Sequence, residues 1–206
     1  KSYRNRKIFE NFYKLKSFSN IKKALKKNLP EFVVISTPTN LHRKNFLEII
    51  KFNSVKFILI EKPISFNLED TNFIVDKCEK KKIKLFVNYI RRYNIGLIKL
   101  KNILKKETKI YIKIFYNNGF INSGSHYLNL VRFYFGMPKN FKILNLKKKF
   151  KNDFNIDLEL QFKKAIVSFK YTPKKIIYDM IFQFNKNTIK HTKAYGINYN
   201  NFKIKS

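Results

Sequence analysis

The first half of the chain alternates short apolar runs with segments of helical periodicity. Residues 32–35 and 55–60 are nearly continuous apolar runs, and in the segment after each of them apolar residues recur at intervals of three and four. Residues 85–87 supply a further strand, and Asn67 is the predicted N-cap of the helix before it. Strands that are apolar on both faces and alternate with helices are typical of a parallel sheet covered on both sides. Residues 1–90 are therefore predicted to form an α/β domain with a parallel, doubly wound sheet.

Beyond about residue 90 the period of the apolar residues changes to two. The alternation is seen in four segments, which are residues 109–116, 157–163, 165–171 and 176–184. Lys163-Lys164 forms a tight connection between two of them. This period and the short turns predict a largely antiparallel sheet with one wetter face.

One helix interrupts this pattern, at about residues 125–135, and Gly136 with Pro138 ends it. Residues 185–206 have only weak strand character. Residues 91–206 are therefore predicted to be an α+β domain with a largely antiparallel open sheet.

Length and composition limit the class of protein. A chain of 206 residues with 44% apolar residues can bury a core. It contains no run of about 18 uncharged apolar residues, and no apolar stretch follows the basic start KSYRNRK as in a signal peptide. The single cysteine, Cys78, excludes a disulfide framework and a cysteine-rich metal site. We expect a cytoplasmic protein that does not contact membranes and has no metal site.

The formal charge of +32 on its own suggests binding to nucleic acid. Only six of the 45 basic residues are arginine, and the lysines are spread along the whole chain, which indicates a general compositional bias. The densest run, Lys147-Lys148-Lys149, is predicted to be a solvated loop. A nucleic-acid-binding protein stays open as an alternative on the charge alone.

Polar residues follow two of the predicted parallel strands, at the point where each strand ends. Ser36-Thr37-Pro38-Thr39-Asn40 and His42 come after the first strand, and Glu61-Lys62-Pro63 comes after the second. Because ligands collect at the carboxyl ends of strands in open α/β sheets, these residues are expected to line a shared crevice. The prolines stop the strands, and an X-Pro bond there can be cis.

Four stretches in a fixed order resemble the Gfo/Idh/MocA family of NAD(P)-dependent oxidoreductases. They are VVISTPTNLH, EKPIS, NYIRRYN and GFINSGSHYLNLVRFYFG, and the likeness runs from about residue 15 to about residue 145. The resemblance implies a Rossmann domain followed by a second domain with a largely antiparallel open sheet. That sheet is often used for oligomer contacts, so a homo-oligomer is expected.

The resemblance also implies roles for single residues. Lys62 matches the lysine that reaches nicotinamide and substrate, and its ammonium can stabilise an alkoxide-like oxygen. His126 matches the histidine that handles the hydroxyl proton as general acid or base. The remaining matches are expected to line the cofactor, and they are Ser36, Thr37, Pro38, Asn40, His42, Glu61, Pro63 and Arg92.

Asparagine stands at two positions where the family often has aspartate. The first is Asn122, four residues before His126, and we include it among the candidate catalytic residues. The second is Asn129. An amide can bind a sugar hydroxyl but cannot take up a proton. A non-catalytic binding member of the same fold, or a remnant of one, therefore stays open as an alternative.

The dinucleotide fingerprint G-x-G-x-x-G is missing, because no glycine precedes Gly96. This absence and the first residue Lys1 fit a polypeptide whose first strand, glycine loop and first helix lie upstream. Residues 2–6 are then expected to end the second Rossmann strand, where Arg4 and Arg6 would suit a 2′-phosphate and favour NADP slightly over NAD. The predicted function is hydride transfer between nicotinamide and a hydroxyl-bearing carbon of a sugar, sugar nucleotide or cyclitol.

Overall fold

The computed structural model describes residues 3–150, 153–174, 176, 179–185, 187–191 and 202–205, and the chain forms two compact units, Lys1–Asn88 and Tyr89–Ser206. Within the described residues, no helix has the length and apolar character needed to cross a bilayer. The fold class predicted from the sequence is confirmed, because a parallel sheet with helices precedes a mostly antiparallel mixed sheet.

The elements of the first unit are α1 (Tyr3–Tyr13), α2 (Ile21–Asn28), β1 (Phe32–Ile35), α3 (His42–Ile49), β2 (Phe57–Ile60), α4 (Leu68–Lys80) and β3 (Lys84–Val87). Its described strands form a three-stranded parallel sheet in the order β1-β2-β3. Asn20 and Asn67 cap α2 and α4, since the side-chain oxygen of each accepts backbone N–H groups of the first turn.

The core of the first unit lies on one face of its sheet. Ile58 and Ile60 of β2 pack there with Phe46 of α3 and Ile74 of α4. Cys78 joins this core, and burial raises the pKa of its thiol to about 11, so the side chain stays protonated and acts as a packing group.

The opposite face of the same sheet is open to solvent. Phe32 and Val34 of β1 are 52% and 51% exposed, and Phe86 of β3 is 47% exposed. The predicted covering of both faces by helices is therefore not observed at these residues. The apolar cluster of this unit is formed by side chains on the covered face, which holds Ile58 and Ile60.

The elements of the second unit are α5 (Ile95–Lys106), β4 (Ile110–Tyr116), α6 (Ser125–Phe135), β5 (Asn140–Phe150), β6 (Asp153–Gln161), β7 (Ala165–Tyr171), β8 (Met180–Phe184), β9 (Asn187–His191) and β10 (Phe202–Lys205). The described strands form a seven-stranded sheet in the order β10-β9-β8-β4-β7-β6-β5. The β4 and β7 strands pair in parallel and the other neighbours pair antiparallel.

Alternating burial along the strands builds the core of the second unit. Ile110, Ile112 and Ile114 of β4 are buried, whereas Tyr111 and Lys113 between them are exposed. The buried face packs against α5 and α6, which contribute Leu97, Leu100, Leu104, Tyr127, Leu130 and Val131. The predicted helix at residues 125–135 is confirmed, and Gly136 follows it with φ 78°, in the left-handed region that favours glycine.

Two local predictions are wrong. Residues 3–6 do not end a strand, because they lie in α1, where Phe9 and Tyr13 are in ring contact one helical turn apart. Lys147-Lys148-Lys149 is not a loop, because it lies in β5, whose register with β6 continues through Lys147↔Asn155 and Lys148↔Phe154. Strand β5 is at the edge of the sheet, where lysines are well tolerated.

Strand boundaries also differ from the predicted ones. The second strand begins at Phe57 rather than at residue 55, β6 begins at Asp153 rather than at residue 157, and β8 begins at Met180 rather than at residue 176. In the described part of residues 185–206, the weak pattern includes strands β9 and β10.

Candidate active site

The predicted crevice residues of the first unit lie in loops at the carboxyl ends of neighbouring strands. After β1, Pro38 is extended and a short 3-10 turn, Thr39–Leu41, leads into α3. After β2, Glu61 donates its backbone N–H to Ile35 O (2.9 Å), and the Lys62-Pro63 peptide bond is cis. Ser36, Pro38 and Asn40 are exposed, whereas Thr37 and the Glu61-Lys62-Pro63 segment are half-buried.

His42 ties the two loops to each other. Its imidazole is 1% exposed, and Nε2 lies 2.8 Å from Thr37 O while Nδ1 lies 3.0 Å from Ile64 O. Both partners are backbone carbonyl oxygens. The structure thus places this residue beneath the loops, where it can act on a ligand by holding the loop backbones.

Two asparagines that the sequence analysis missed complete the ties at the strand ends. Asn45 of α3 donates through Nδ2 to Thr37 Oγ1 (3.0 Å), and Asn88 after β3 donates through Nδ2 to Glu61 Oε1 (2.6 Å). Asn45 precedes an apolar segment and Asn88 follows one, and an asparagine in such a place carries no sequence signal for these contacts. The three strand ends β1, β2 and β3 are therefore joined by side chains as well as by the sheet.

The candidate catalytic residues of the second unit lie where α6 begins. A π-helical turn, Phe120–Gly124, precedes the helix, and such turns are frequent at functional sites. Asn122 in this turn is exposed, and His126 in the first turn of α6 is half-buried. The His126 ring meets the Tyr89 ring edge to face, with centroids 6.1 Å apart. Burial raises the pKa of the Tyr89 phenol, which a hydrogen bond with Ser125 and the charges of nearby arginines partly oppose.

Arg92 and Asn129 lie in the same unit. The Arg92 guanidinium stacks over the Phe133 ring at 5.3 Å, and its buried Nε has no hydrogen-bond partner among the described residues. The Oδ1 atom of Asn129 is likewise buried without a partner in the described part of the chain. Unsatisfied buried polar atoms are costly, so these two can bind a ligand or water.

A buried carboxylate, Asp179, which the sequence analysis also missed, organises the polar core beside α6. Asp179 is fully buried, and its Oδ2 accepts from Tyr127 OH (2.9 Å) and Arg91 Nη1 (3.2 Å) while its Oδ1 lies 2.6 Å from His191 Nδ1. Burial alone would raise the pKa of the Asp179 carboxyl, but hydrogen bonding and charge from His191 and the charge of Arg91 outweigh it and hold that pKa below its usual range. The carboxylate is therefore ionised at neutral pH.

Comparison with protein families assigns the first unit. Residues 2–89 match the model of the Gfo/Idh/MocA family, described as "Oxidoreductase family, NAD-binding Rossmann fold". Residues 2–89 are thus similar to the NAD-binding Rossmann domain of this oxidoreductase family. The resemblance seen in the sequence motifs is confirmed, and no curated protein matches the sequence.

Solved structures share the fold of both units. WlbA dehydrogenase from Bordetella pertussis, solved in complex with NADH and UDP-GlcNAcA, has 18% identity and a TM-score of 0.75, over 98% of this chain and 66% of WlbA. The Bacillus subtilis protein YvaA has 19% identity and a TM-score of 0.75, over 93% of this chain and 61% of YvaA. At these identities the likeness shows the fold alone, and the chain spans less than two thirds of the length of either protein.

The strand-end loops of the first unit offer polar groups to a ligand. They present the hydroxyl of Thr37, the carboxylate of Glu61 and the ammonium of Lys62 at neighbouring strand ends. Residues 3–88 contain no glycine, so the described part of this unit has no glycine-rich loop for a pyrophosphate. The polar groups lie at the carboxyl ends of the strands, which is where ligands of open α/β sheets bind.

Proposed function

We propose that this chain is part of an NAD(P)-dependent oxidoreductase that transfers hydride between nicotinamide and a hydroxyl-bearing carbon of a sugar, sugar nucleotide or cyclitol. The observation that carries the proposal is the Rossmann-family unit whose strand-end loops are tied together by His42, with Lys62 in one of those loops. A bound nicotinamide supplies the hydride acceptor or donor. The other steps fall to side chains of this chain.

Three residues have proposed chemical roles. The Lys62 ammonium stabilises the negative charge that develops on the substrate oxygen as its proton leaves. His126 takes that proton during oxidation and returns it during reduction, a task suited to a group that titrates near neutrality. Asn122 holds a substrate hydroxyl through its amide, which donates and accepts hydrogen bonds but takes up no proton.

The proposed cofactor is NAD or NADP. The loops proposed to line it contain Ser36, Thr37, Pro38, Asn40, Glu61 and Pro63, and Arg92 is proposed as a further contact. The slight preference for NADP depends on Arg4 and Arg6 at the end of a strand, and that basis is lost because both residues lie in α1. The arginines of α1 therefore give no support for a preference between NAD and NADP.

The proposed substrate class and partners follow the relatives and the second sheet. WlbA was solved with a sugar nucleotide, which supports a substrate of that class here. On the outer face of the second sheet, Tyr111 of β4 and Ile166 of β7 pair directly and are 50% and 36% exposed. An apolar pair of this kind supports a homo-oligomer that associates through this sheet. A cytoplasmic location remains part of the proposal.

Substrate-dependent oxidation or reduction of nicotinamide tests the function. The full natural polypeptide that carries this chain is mixed with NADH or NAD and a panel of UDP-sugars, and the nicotinamide absorbance is followed. We expect turnover with at least one sugar nucleotide and a loss of about 100-fold or more in His126→Ala, in line with removal of a general acid–base group. Turnover within a few-fold of wild type in that variant would contradict the role of His126.

A non-catalytic binding protein of the same fold is the second candidate, and Asn122 favours it because an amide replaces a proton-accepting carboxylate. This candidate predicts saturable binding of nicotinamide cofactor or sugar nucleotide without any substrate-dependent change in nicotinamide absorbance. The same panel of UDP-sugars separates the two candidates.

A further inference from the structure

The Asp153 carboxylate binds the backbone of the turn that carries Asn122. Asp153 begins β6, and its Oδ1 accepts from Ile121 N (2.9 Å) while its Oδ2 accepts from Asn122 N (3.1 Å). The Oδ1 atom also accepts from Phe154 N (2.8 Å), which fixes the carboxylate on its own strand. The side chain of Asp153, the first residue of β6, thus binds the backbone N–H groups of two consecutive residues that lie more than 30 positions earlier in the chain.

The backbone at Gly119 is shaped to admit this carboxylate. Gly119 has φ 84°, in the left-handed region, and a Cβ at this position would collide with the Asp153 carboxyl group. Its carbonyl oxygen accepts from Ser123 N (2.9 Å) and Gly124 N (3.3 Å), so the same residue also starts the π-helical turn. The positive φ and the absence of a Cβ both favour glycine here, and the absence of a Cβ lets the Asp153 carboxylate approach the turn.

The Asp153 carboxylate supplies hydrogen-bond acceptors for backbone N–H groups at the start of the turn before α6. The first N–H groups of a helical segment have no intrahelical acceptor, and an acidic side chain at that end is favourable for hydrogen bonding and for the helix dipole. No side chain within the turn caps either Phe120–Gly124 or α6. Asp153 therefore acts as an N-terminal cap donated by a strand.

Hydrophobic packing holds α6 in place independently of this cap. Phe120 stacks on Phe154 at 6.1 Å and meets Phe169 edge to face at 5.7 Å, and Tyr127, Leu130 and Val131 anchor the helix in the core. Loss of the carboxylate should thus leave the helix docked while the first turn gains freedom. His126 lies two residues after the end of this turn, so its ring shares the freedom.

We propose that Asp153 is a positioning residue that fixes the turn 120–124 and thereby orients Asn122 and His126 for reaction. The inference rests on the proposed function for its catalytic consequence, whereas the backbone restraint itself is independent of it. In Asp153→Asn the amide oxygen can occupy the position of only one of the two carboxylate oxygens, and the NH2 group then faces a backbone N–H at the other position. At least one hydrogen bond to the turn is thus lost, and the charge is removed.

Asp157→Asn is the matched control. Asp157 lies on the same strand, and its Oδ1 accepts from Tyr171 N of β7 (2.9 Å), away from the turn. Both variants change one half-buried carboxylate that binds backbone N–H groups. Only Asp153 binds the turn before α6.

Amide hydrogen exchange and histidine ring signals measured by NMR provide the structural test. In Asp153→Asn we expect exchange at Ile121 and Asn122 to speed up by about tenfold, the size of losing a cap, and the ring signals of His126 to shift. The chain has three histidines, and those of His42 and His191 should stay in place. In Asp157→Asn the change should appear at Tyr171 instead. Unchanged protection at Ile121 and Asn122, or an equal shift of the His126 signals in both variants, would overturn the proposal.

Kinetics of the full polypeptide provide the functional test. We expect Asp153→Asn to lower kcat about tenfold or more with the KM for NADH unchanged, and Asp157→Asn to retain the wild-type kcat. A wild-type kcat in Asp153→Asn overturns the proposal. Absence of turnover in the wild type counts against the proposed function, and the NMR measurements then decide on Asp153 alone.

Discussion

The two units hold their candidate site residues in different ways. In the first unit, the loops after β1 and β2 are tied to each other by His42, which lies five residues after one partner and 22 before the other. In the second unit, the turn before α6 is held by Asp153, and Tyr127 of α6 by Asp179, over separations of 31 to 52 residues. The contacts of His42 lie within one βαβ unit, whereas the contacts of Asp153 and Asp179 form only when distant strands of the second sheet have assembled.

Each unit buries one face of its sheet. The first sheet leaves Phe32, Val34 and Phe86 about half exposed on the other face. The second sheet buries its inner face under α5 and α6 and leaves Tyr111 and Ile166 exposed on the outer face. Substitutions on the buried face of either sheet should therefore cost more stability than substitutions on the open face.

A pair of phenylalanine substitutions gives the largest expected contrast. Phe169 of the second sheet is fully buried, so Phe169→Ala should lower the free energy of unfolding by about 3–5 kcal/mol. Phe86→Ala on the open face of the first sheet should cost less than about 1 kcal/mol, because little area leaves the core. Urea unfolding of both variants checks the contrast, and equal losses would break it.

Removal of the buried carboxylate should be nearly as damaging. Asp179→Ala leaves the Arg91 guanidinium without its ion-pair partner inside the protein, and such losses cost about 3–5 kcal/mol. Asp70→Ala removes an ion pair with Arg43 that is more exposed, and it should cost about 1 kcal/mol or less. A loss in Asp179→Ala no larger than in Asp70→Ala would show that the long-range polar tie is dispensable.

The pH dependence of stability gives an independent test of Asp179. Its pKa is lower in the folded protein than the ordinary value of about 4, so the folded state favours the ionised form. The resulting stabilisation is fully present above about pH 4 and is lost as the pH falls through the lowered pKa. The stability difference between wild type and Asp179→Asn should thus shrink on acidification below pH 4, and a constant difference would contradict the assignment.

Loss of the local tie should have an intermediate effect. His42→Ala leaves Thr37 O and Ile64 O without the ring donor, at a cost of about 1–3 kcal/mol. Limited proteolysis or amide exchange should show the loops after β1 and β2 opening together. Opening of one loop alone would show that His42 does not couple them.

The smallest effects should be equal in both units. Asn67 and Asn94 cap α4 and α5 by accepting from Asp70 N (2.7 Å) and Leu97 N (3.1 Å). Each Asn→Ala change should cost about 1 kcal/mol. Thermal unfolding measures these losses. Similar losses would show that the two units differ only in their long-range contacts, whereas a much larger loss at one cap would contradict this.

The sequence predicted what depends on neighbours along the chain. The Asn67 cap and the limits of α6 at Ser125 and Phe135 follow from side chains within a few positions, including Gly136. The error at residues 3–6 arose because their placement was inferred from the expected order of elements in the family, whereas the local spacing of aromatic residues favours a helix.

Contacts between distant segments could not be predicted in this way. Asp153 and Asp179 carry no motif, and a carboxylate in or beside a strand is typical of a solvent-facing position. Their partners become evident only when the register of the second sheet brings β6, β8 and β9 beside α6. The lysines of β5 were likewise assigned to a loop because pairing with β6 has no signal in the charge pattern.

Binding of NADH to the full natural polypeptide tests the central claim most directly. NADH fluorescence is titrated with wild type, with Lys62→Ala and with Lys80→Ala, whose lysine is exposed in the last turn of α4. The account predicts saturable binding by wild type, a dissociation constant about tenfold or more higher in Lys62→Ala, as expected for a lost charged contact, and no change in Lys80→Ala. Absence of saturable binding, or equal dissociation constants for the two lysine variants, would contradict it.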